Sequence, residues 1–241
     1  MIGRYAIDMS PTKHVVMLLV AAFLSCIILI TAARAHARHT HAIGRPKGFS
    51  AGIEAMVLYI RQEVAIPNLG HHGEKYAPFI LTLFFFIMFA NLLGLIPYGS
   101  TATGNISVTL TLALITFVVV EIAGMRALGR KYFSTIFYWN TDLPMYMRVP
   151  LFVIMSPIEV IGKFTKPFAL TIRLFANMTA GHIVVLALIG LIFIFHNAVS
   201  GAPFIMAILI MMLELFVALL QAFIFSLLAA VFIGQIREAA H

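Results

Sequence analysis

From Val149 to Phe195 the chain runs 47 residues without a polar connection, and no other stretch limits its possible folds as much. At about 1.5 Å per residue a continuous helix of this length measures roughly 70 Å, more than twice the hydrocarbon thickness of a bilayer. Either it breaks near Pro157 or Pro167 into a re-entrant piece and a spanning piece, or it crosses strongly tilted. After His196 to Gly201, a last apolar segment from Ala202 to Gln235 is also too long to stand upright. Two over-long helices joined by one short turn predict a tilted helical hairpin over 149–195 and 202–236.

Composition places the hairpin in a membrane. Of 241 residues, 62% are hydrophobic and 10% charged, whereas a soluble domain carries about 25% charged residues. The apolar runs are continuous rather than alternating, which excludes a β-barrel. Upstream runs at Val15–Ala33, Ala77–Pro97 and Val108–Gly124 are each suited to crossing. Between the first two, Ile53, Met56, Val57, Ile60 and Val64 recur at helical spacing, with Glu54, Arg61, Gln62 and Glu63 intervening. That pattern predicts an amphipathic surface helix over 52–66, ended by Pro67, and fits a solvated loop helix equally well. The expected fold is a single all-α integral membrane domain over 1–241. It has about four upright or surface helices followed by the tilted hairpin.

The net charge of +7 does not mark a nucleic-acid protein, because of where it sits. Arg34, Arg38, Arg45, Lys47, Arg61, Arg126, Arg130 and Lys131 lie in connections between apolar segments. Basic connections anchor the cytoplasmic side, so the N-terminus is expected outside and the C-terminus in the cytoplasm. The first run reads as a retained helix rather than a cleaved signal. Cys26 is the single cysteine, so no internal disulfide forms. His36, His39 and His41 have no neighbouring carboxylate or cysteine to complete a ligand set, and no metal is expected there. His71–His72 is assigned no chemistry. Asn91 predicts an interhelical hydrogen bond, and Asn105-Ile106-Ser107 fits a glycosylation sequon by chance. Glu121 is expected to snorkel to water near the inner end of its span. Trp139, Asn140 and Asp142 mark an interfacial connection.

The hairpin carries its own polar set: Glu159, Lys163, Lys166, Arg173, Asn177 and His182 on the first helix, Glu214 and Gln221 on the second. At about 100° per residue, Glu159, Lys166, Arg173 and Asn177 share one stripe. His182 points to nearly the opposite side, where Glu214 of the partner helix can meet it. Glu214 and Gln221, a heptad apart, share a face. A guanidinium cannot shed its proton, and placing it at membrane depth costs at least about 2.5–3.5 kcal/mol. A glutamate and a histidine have reference pKa values near about 4.3 and 6.5 and can exchange protons with water. Intramembrane ionisable residues mark proton and ion pathways by default. The plainer alternative is an ion pair that holds two helices together.

The stretch LTIRLFANMTAGH (170–182), preceded by SPIEVIGKFTKPFA and followed by ELFVALLQAFIFSLLA, closely resembles the a-subunit family of the F-type ATP synthase membrane sector. The likeness continues upstream through FANLLGLIPY and GNISVTLTLALITF, covering the chain from about Gly52 to the end. By this resemblance Arg173 matches the family's essential arginine, Asn177 its neighbouring asparagine, and Gln221 the glutamine close to that arginine. Glu159 matches a carboxylate near the cytoplasmic half-channel and Lys166 a basic residue in the same run. His182 and Glu214 match two outer half-channel positions with the residue types exchanged relative to many bacterial members. That exchange leaves open which of the two carries the proton.

The resemblance implies a stator subunit, not catalytic by itself and without cofactor or metal. Its partners would be the rotor ring of c subunits, the peripheral-stalk b subunits, other ATP synthase subunits, protons and lipid, with no nucleic acid. Its location would be a bacterial plasma membrane, or alternatively the mitochondrial inner membrane. Two other classes fit less of the chain. A haem protein could use His182 and His196, but Ala202 to Gln235 offers no facing histidine. A secondary transporter would carry repeated halves, and none is visible.

Overall fold

The computed structural model describes residues 13–39, 49–70, 73–96, 102–129, 132, 145–194 and 201–238. The connection 40–48, His71 and His72, residues 97–101, Arg130, Lys131, 139–142 and His196 lie outside the described residues, as do the side chains of His36, Arg38 and His39. The described chain is helical throughout, and five of its helices are long and apolar enough to cross a membrane.

Helix α1 spans Lys13–His39 and α2 spans Phe49–Tyr59. A π-helical turn, Ile60–Ala65, joins α2 to the short α3, Ile66–Leu69. Here the structure departs from the expected surface helix. Pro67 does not end the helix, because it falls in the first turn of α3, where a missing N–H goes unneeded. The chain stops instead at Gly70, with φ of 70°. Ile60, Val64, Ala65 and Leu69 are buried in the main core, so the second half of this segment is part of the fold.

Helix α4 spans Ala77–Gly94 with Pro78 in its first turn, and α5 spans Ile106–Leu128. The start of α5 explains Asn105: its side chain accepts a hydrogen bond from the Ser107 amide at 2.9 Å. What reads as a sequon is a helix cap. The hairpin is α6, Met145–Ile194, and α7, Gly201–Glu238. Helix α6 runs unbroken for 50 residues with Pro150, Pro157 and Pro167 inside it, so the re-entrant alternative falls away. At about 75 Å it can lie within a bilayer only obliquely.

Helix α7 is the central element, packed by α4, α5, α6 and α3. Ala218, Ala222, Phe225, Ala229 and Ile233 are fully buried along it, at the three- and four-residue spacing of one helical face. The small side chains let neighbouring backbones approach closely, which is how helices associate where lipid removes the hydrophobic driving force. Asn91 joins this packing from α4: it donates to the Ala218 carbonyl at 3.1 Å and accepts from the Thr103 hydroxyl at 2.8 Å. Among the described residues, helix α6 is covered on one side only. Pro167, Leu170, Thr171, Leu174 and Met178 are buried, while Ile161, Phe164, Phe168 and Ile172 are exposed.

Gly234 marks the closest approach. A Cβ there would sit 1.8 Å from the Asn68 carbonyl oxygen, with no flexible side chain to yield. Gly234→Ala is expected to destabilise the fold by about 1–3 kcal/mol, the range for overpacking. Gly162→Ala, with nothing within 4 Å of its Cβ, should leave it unchanged. Thermal unfolding of the detergent-extracted protein measures both.

Candidate proton-path residues along the hairpin

Three contacts set how α6 and α7 lie against each other. Lys166 places its ammonium 4.8 Å from the Phe232 ring centroid. Asn177 donates to Gln221 Oε1 at 2.9 Å. His182 Nδ1 lies 3.6 Å from Glu214 Oε1. As the residue number rises on α6 it falls by nearly the same amount on α7, so all three belong to one antiparallel register. The face shared by Glu214 and Gln221 meets α6 at two levels. The expectation of two separate polar surfaces is therefore modified, since Asn177 leaves the Arg173 stripe to join the α7 interface.

The His182–Glu214 pair is within ion-pair reach yet beyond hydrogen-bond length. Its burial is uneven: the Glu214 side chain is 6% exposed and the His182 side chain 35%. The carboxylate is thus enclosed and the imidazole half open, an arrangement in which the histidine is the more accessible member. Gly181 makes the enclosure possible. A Cβ at that position would fall 2.8 Å from Glu214 Oε1 and 2.9 Å from its Cδ. Nearby, the buried Gln221 has an amide nitrogen without a hydrogen-bond partner among the described residues.

Arg173 is placed differently. It is exposed on α6 and borders a cleft with Ile161, Gly162, Thr165, Lys166 and Phe232. Among the described residues it has no ion-pair or hydrogen-bond partner. No carboxylate among the described residues offsets the charge of this exposed guanidinium.

A second polar group gathers between α5, α6 and the end of α7. Thr116, Glu121, Glu159, Lys163 and Lys166 line a cavity walled by Phe117, Val120, Pro167, Leu170, Phe232 and Ile236. Lys166, Leu170 and Phe232 also border the Arg173 cleft, so the two spaces adjoin. Here Glu121 does not simply snorkel to water. It pairs with Lys163 Nζ at 3.3 Å, with both side chains mostly enclosed. Lys163 also donates to the Tyr132 hydroxyl and lies 4.2 Å from that ring's centroid. Sequence reasoning named Glu121 and Lys163 separately and missed the cluster. The available signal was two intramembrane charges of opposite sign.

One family model, ATP synthase A chain, matches residues 14–234 and so takes in nearly all of these helices and side chains. The chain belongs to that family. It is 49% identical over 231 residues to ATP synthase subunit a 2 of Chlorobaculum tepidum, an alignment covering 94% of this chain and 63% of that protein. Over 248 residues it is 49% identical to ATP synthase subunit a 2 of Chlorobium luteolum, covering 98% and 70%. ATP synthase subunit a of an Anaeromyxobacter species (strain Fw109-5) is 44% identical over 235 residues, covering 95% and 55%. The chain thus spans between 55% and 70% of the length of these family members.

Gly181→Ala should push on the Glu214 carboxyl and disturb its approach to His182. The expected outcome is slower proton conduction through membranes holding the assembled complex, at unchanged subunit content. Gly190→Ala, with open space around its Cβ, is the matched control and should conduct normally.

Proposed function

We propose that this chain is the proton-translocating stator subunit of an F-type ATP synthase in a bacterial plasma membrane. It would offer two offset half-channels and the arginine that separates them, coupling proton flow to rotation and ATP synthesis. Family membership and the bacterial relatives support the setting. The observation that carries the mechanism is Arg173, exposed and without a charge partner among the described residues. Retaining such a charge in a membrane protein calls for a partner in another chain.

That partner is a rotor ring of c subunits, each bearing an intramembrane carboxyl. A positive charge close by favours the ionised carboxylate, while desolvation in lipid favours the protonated form. A ring site therefore releases its proton as it passes Arg173 and regains one before re-entering lipid. The guanidinium cannot relay a proton, so it also blocks direct leakage between the two access routes. His182 and Glu214 supply the outer route, and Asn177 and Gln221 lie between that pair and the arginine. Glu159 and Lys166 belong to the cytoplasmic route, whose cavity adjoins the Arg173 cleft. The driving term is about 2.3 kcal/mol per proton charge per 100 mV. The chain is not catalytic by itself. Peripheral-stalk b subunits would hold it against the torque of the ring, with its N-terminus outside and its C-terminus in the cytoplasm.

Arg173→Ala should abolish ATP-driven proton pumping while the complex keeps its subunits, and normal pumping in vesicles from that variant would overturn the assignment. Arg173→Lys should recover little, because lysine can lose its proton when buried and lacks the planar fork. For the outer route, Glu214→Gln should slow proton passage far more than it reduces assembly. Equal loss of both, measured as conduction and as subunit content in the same membranes, would make the pair a helix fastener.

A further inference from the structure

On α6, Glu159 precedes Lys163 by four residues, the spacing and order that most favour a helical ion pair. The pair does not form. Lys163 turns instead toward α5, to Glu121 at 3.3 Å, and toward the Tyr132 hydroxyl and ring. Lys166, the next cation along, is held over the Phe232 ring. Glu159 is exposed at the wall of the same cavity and has no ion-pair or hydrogen-bond partner among the described residues.

We propose that Glu121 and Tyr132 are positioning residues that hold Lys163 away from Glu159, keeping that carboxylate unpaired to collect protons at the cavity. A carboxylate locked to an ammonium four residues on would be a poor proton acceptor, because the adjacent positive charge favours its ionised form. Glu121 gives Lys163 a competing anion on another helix, and Tyr132 adds a hydroxyl acceptor and a ring face on the same side. Gly124 contributes by letting the ring lie close, since a Cβ there would come within 2.9 Å of Tyr132 Cε2. This inference rests on the reading of Glu159 as part of the cytoplasmic proton route.

The test is passive proton conduction through membranes that hold the whole complex with its catalytic sector stripped off, normalised to subunit content. Glu121→Gln and Tyr132→Phe should each lower conduction by roughly twofold to fivefold, the scale of a partly enclosed helical ion pair. Adding Lys163→Met to either should restore it, since the competing ammonium is then gone. A helix-fastening role for Glu121 and Tyr132 predicts no such rescue. Normal conduction in both single variants, or failure of Lys163→Met to restore it, overturns the proposal. Should Glu121→Gln fail to assemble, Tyr132→Phe alone decides, because it removes only a hydroxyl. Glu159→Gln separates the two levels: normal conduction there sinks the reading of Glu159 itself, whereas reduced conduction without rescue sinks only the positioning role.

Discussion

The antiparallel seam between α6 and α7 governs this structure, because it decides which intramembrane charges meet a partner. Taking a charge out of water is costly unless it is paired. One register seats Lys166 on Phe232, Asn177 on Gln221 and His182 beside Glu214. A shift of one residue would rotate each side chain by about 100° and undo all three together. Arg173 lies in the middle of this seam's length yet outside it, on the exposed flank. The seam holds the helices, and the arginine stays outside it.

What fixes the seam is the packing behind α7. Alanines at 218, 222, 229 and 230, fully buried, allow α7 to sit among its neighbours at close range. Gly234 does the same for the Asn68 carbonyl, and Asn91 ties α4 to the α7 backbone. These contacts involve backbone or very small side chains, which can shift little. A closely packed α7 can hold Glu214 and Gln221 at defined heights while α6, covered on one side only among the described residues, presents its other side outward. Close packing on one face and exposure on the other leave α6 with an open flank among the described residues.

The polar groups also divide along the hairpin. His182 and Glu214 form a compact pair on one side of Arg173, and Glu121, Glu159, Lys163 and Lys166 surround a cavity on the other. The two groups differ in chemistry. The first is a single acid–base pair with one enclosed and one half-open member. The second mixes two carboxylates with two ammonium groups, so its behaviour depends on which charges pair. Lys163 has two carboxylates within sequence or spatial reach and takes the one on α5.

Much of this was legible in the residues. Long apolar runs sort themselves into helices, since unpaired backbone groups are not tolerated in hydrocarbon, and the rarity of intramembrane charge singled out Arg173, His182 and Glu214. Periodicity put Glu214 and Gln221 on one face. Periodicity also treats a helix in isolation, and there it fell short. It could not show Asn177 joining the α7 interface, Glu121 reaching Lys163, or Pro167 remaining inside an unbroken α6. Nor could it foresee α3 continuing past Pro67 or Asn105 serving as a cap. The sequence by itself determined an all-helical membrane chain with an arginine that needs a partner, because hydrophobicity and charge are properties of each residue. Only the tertiary structure decided which charges pair and which stay open, because pairing depends on helix register and on backbones meeting at small residues far apart in the chain.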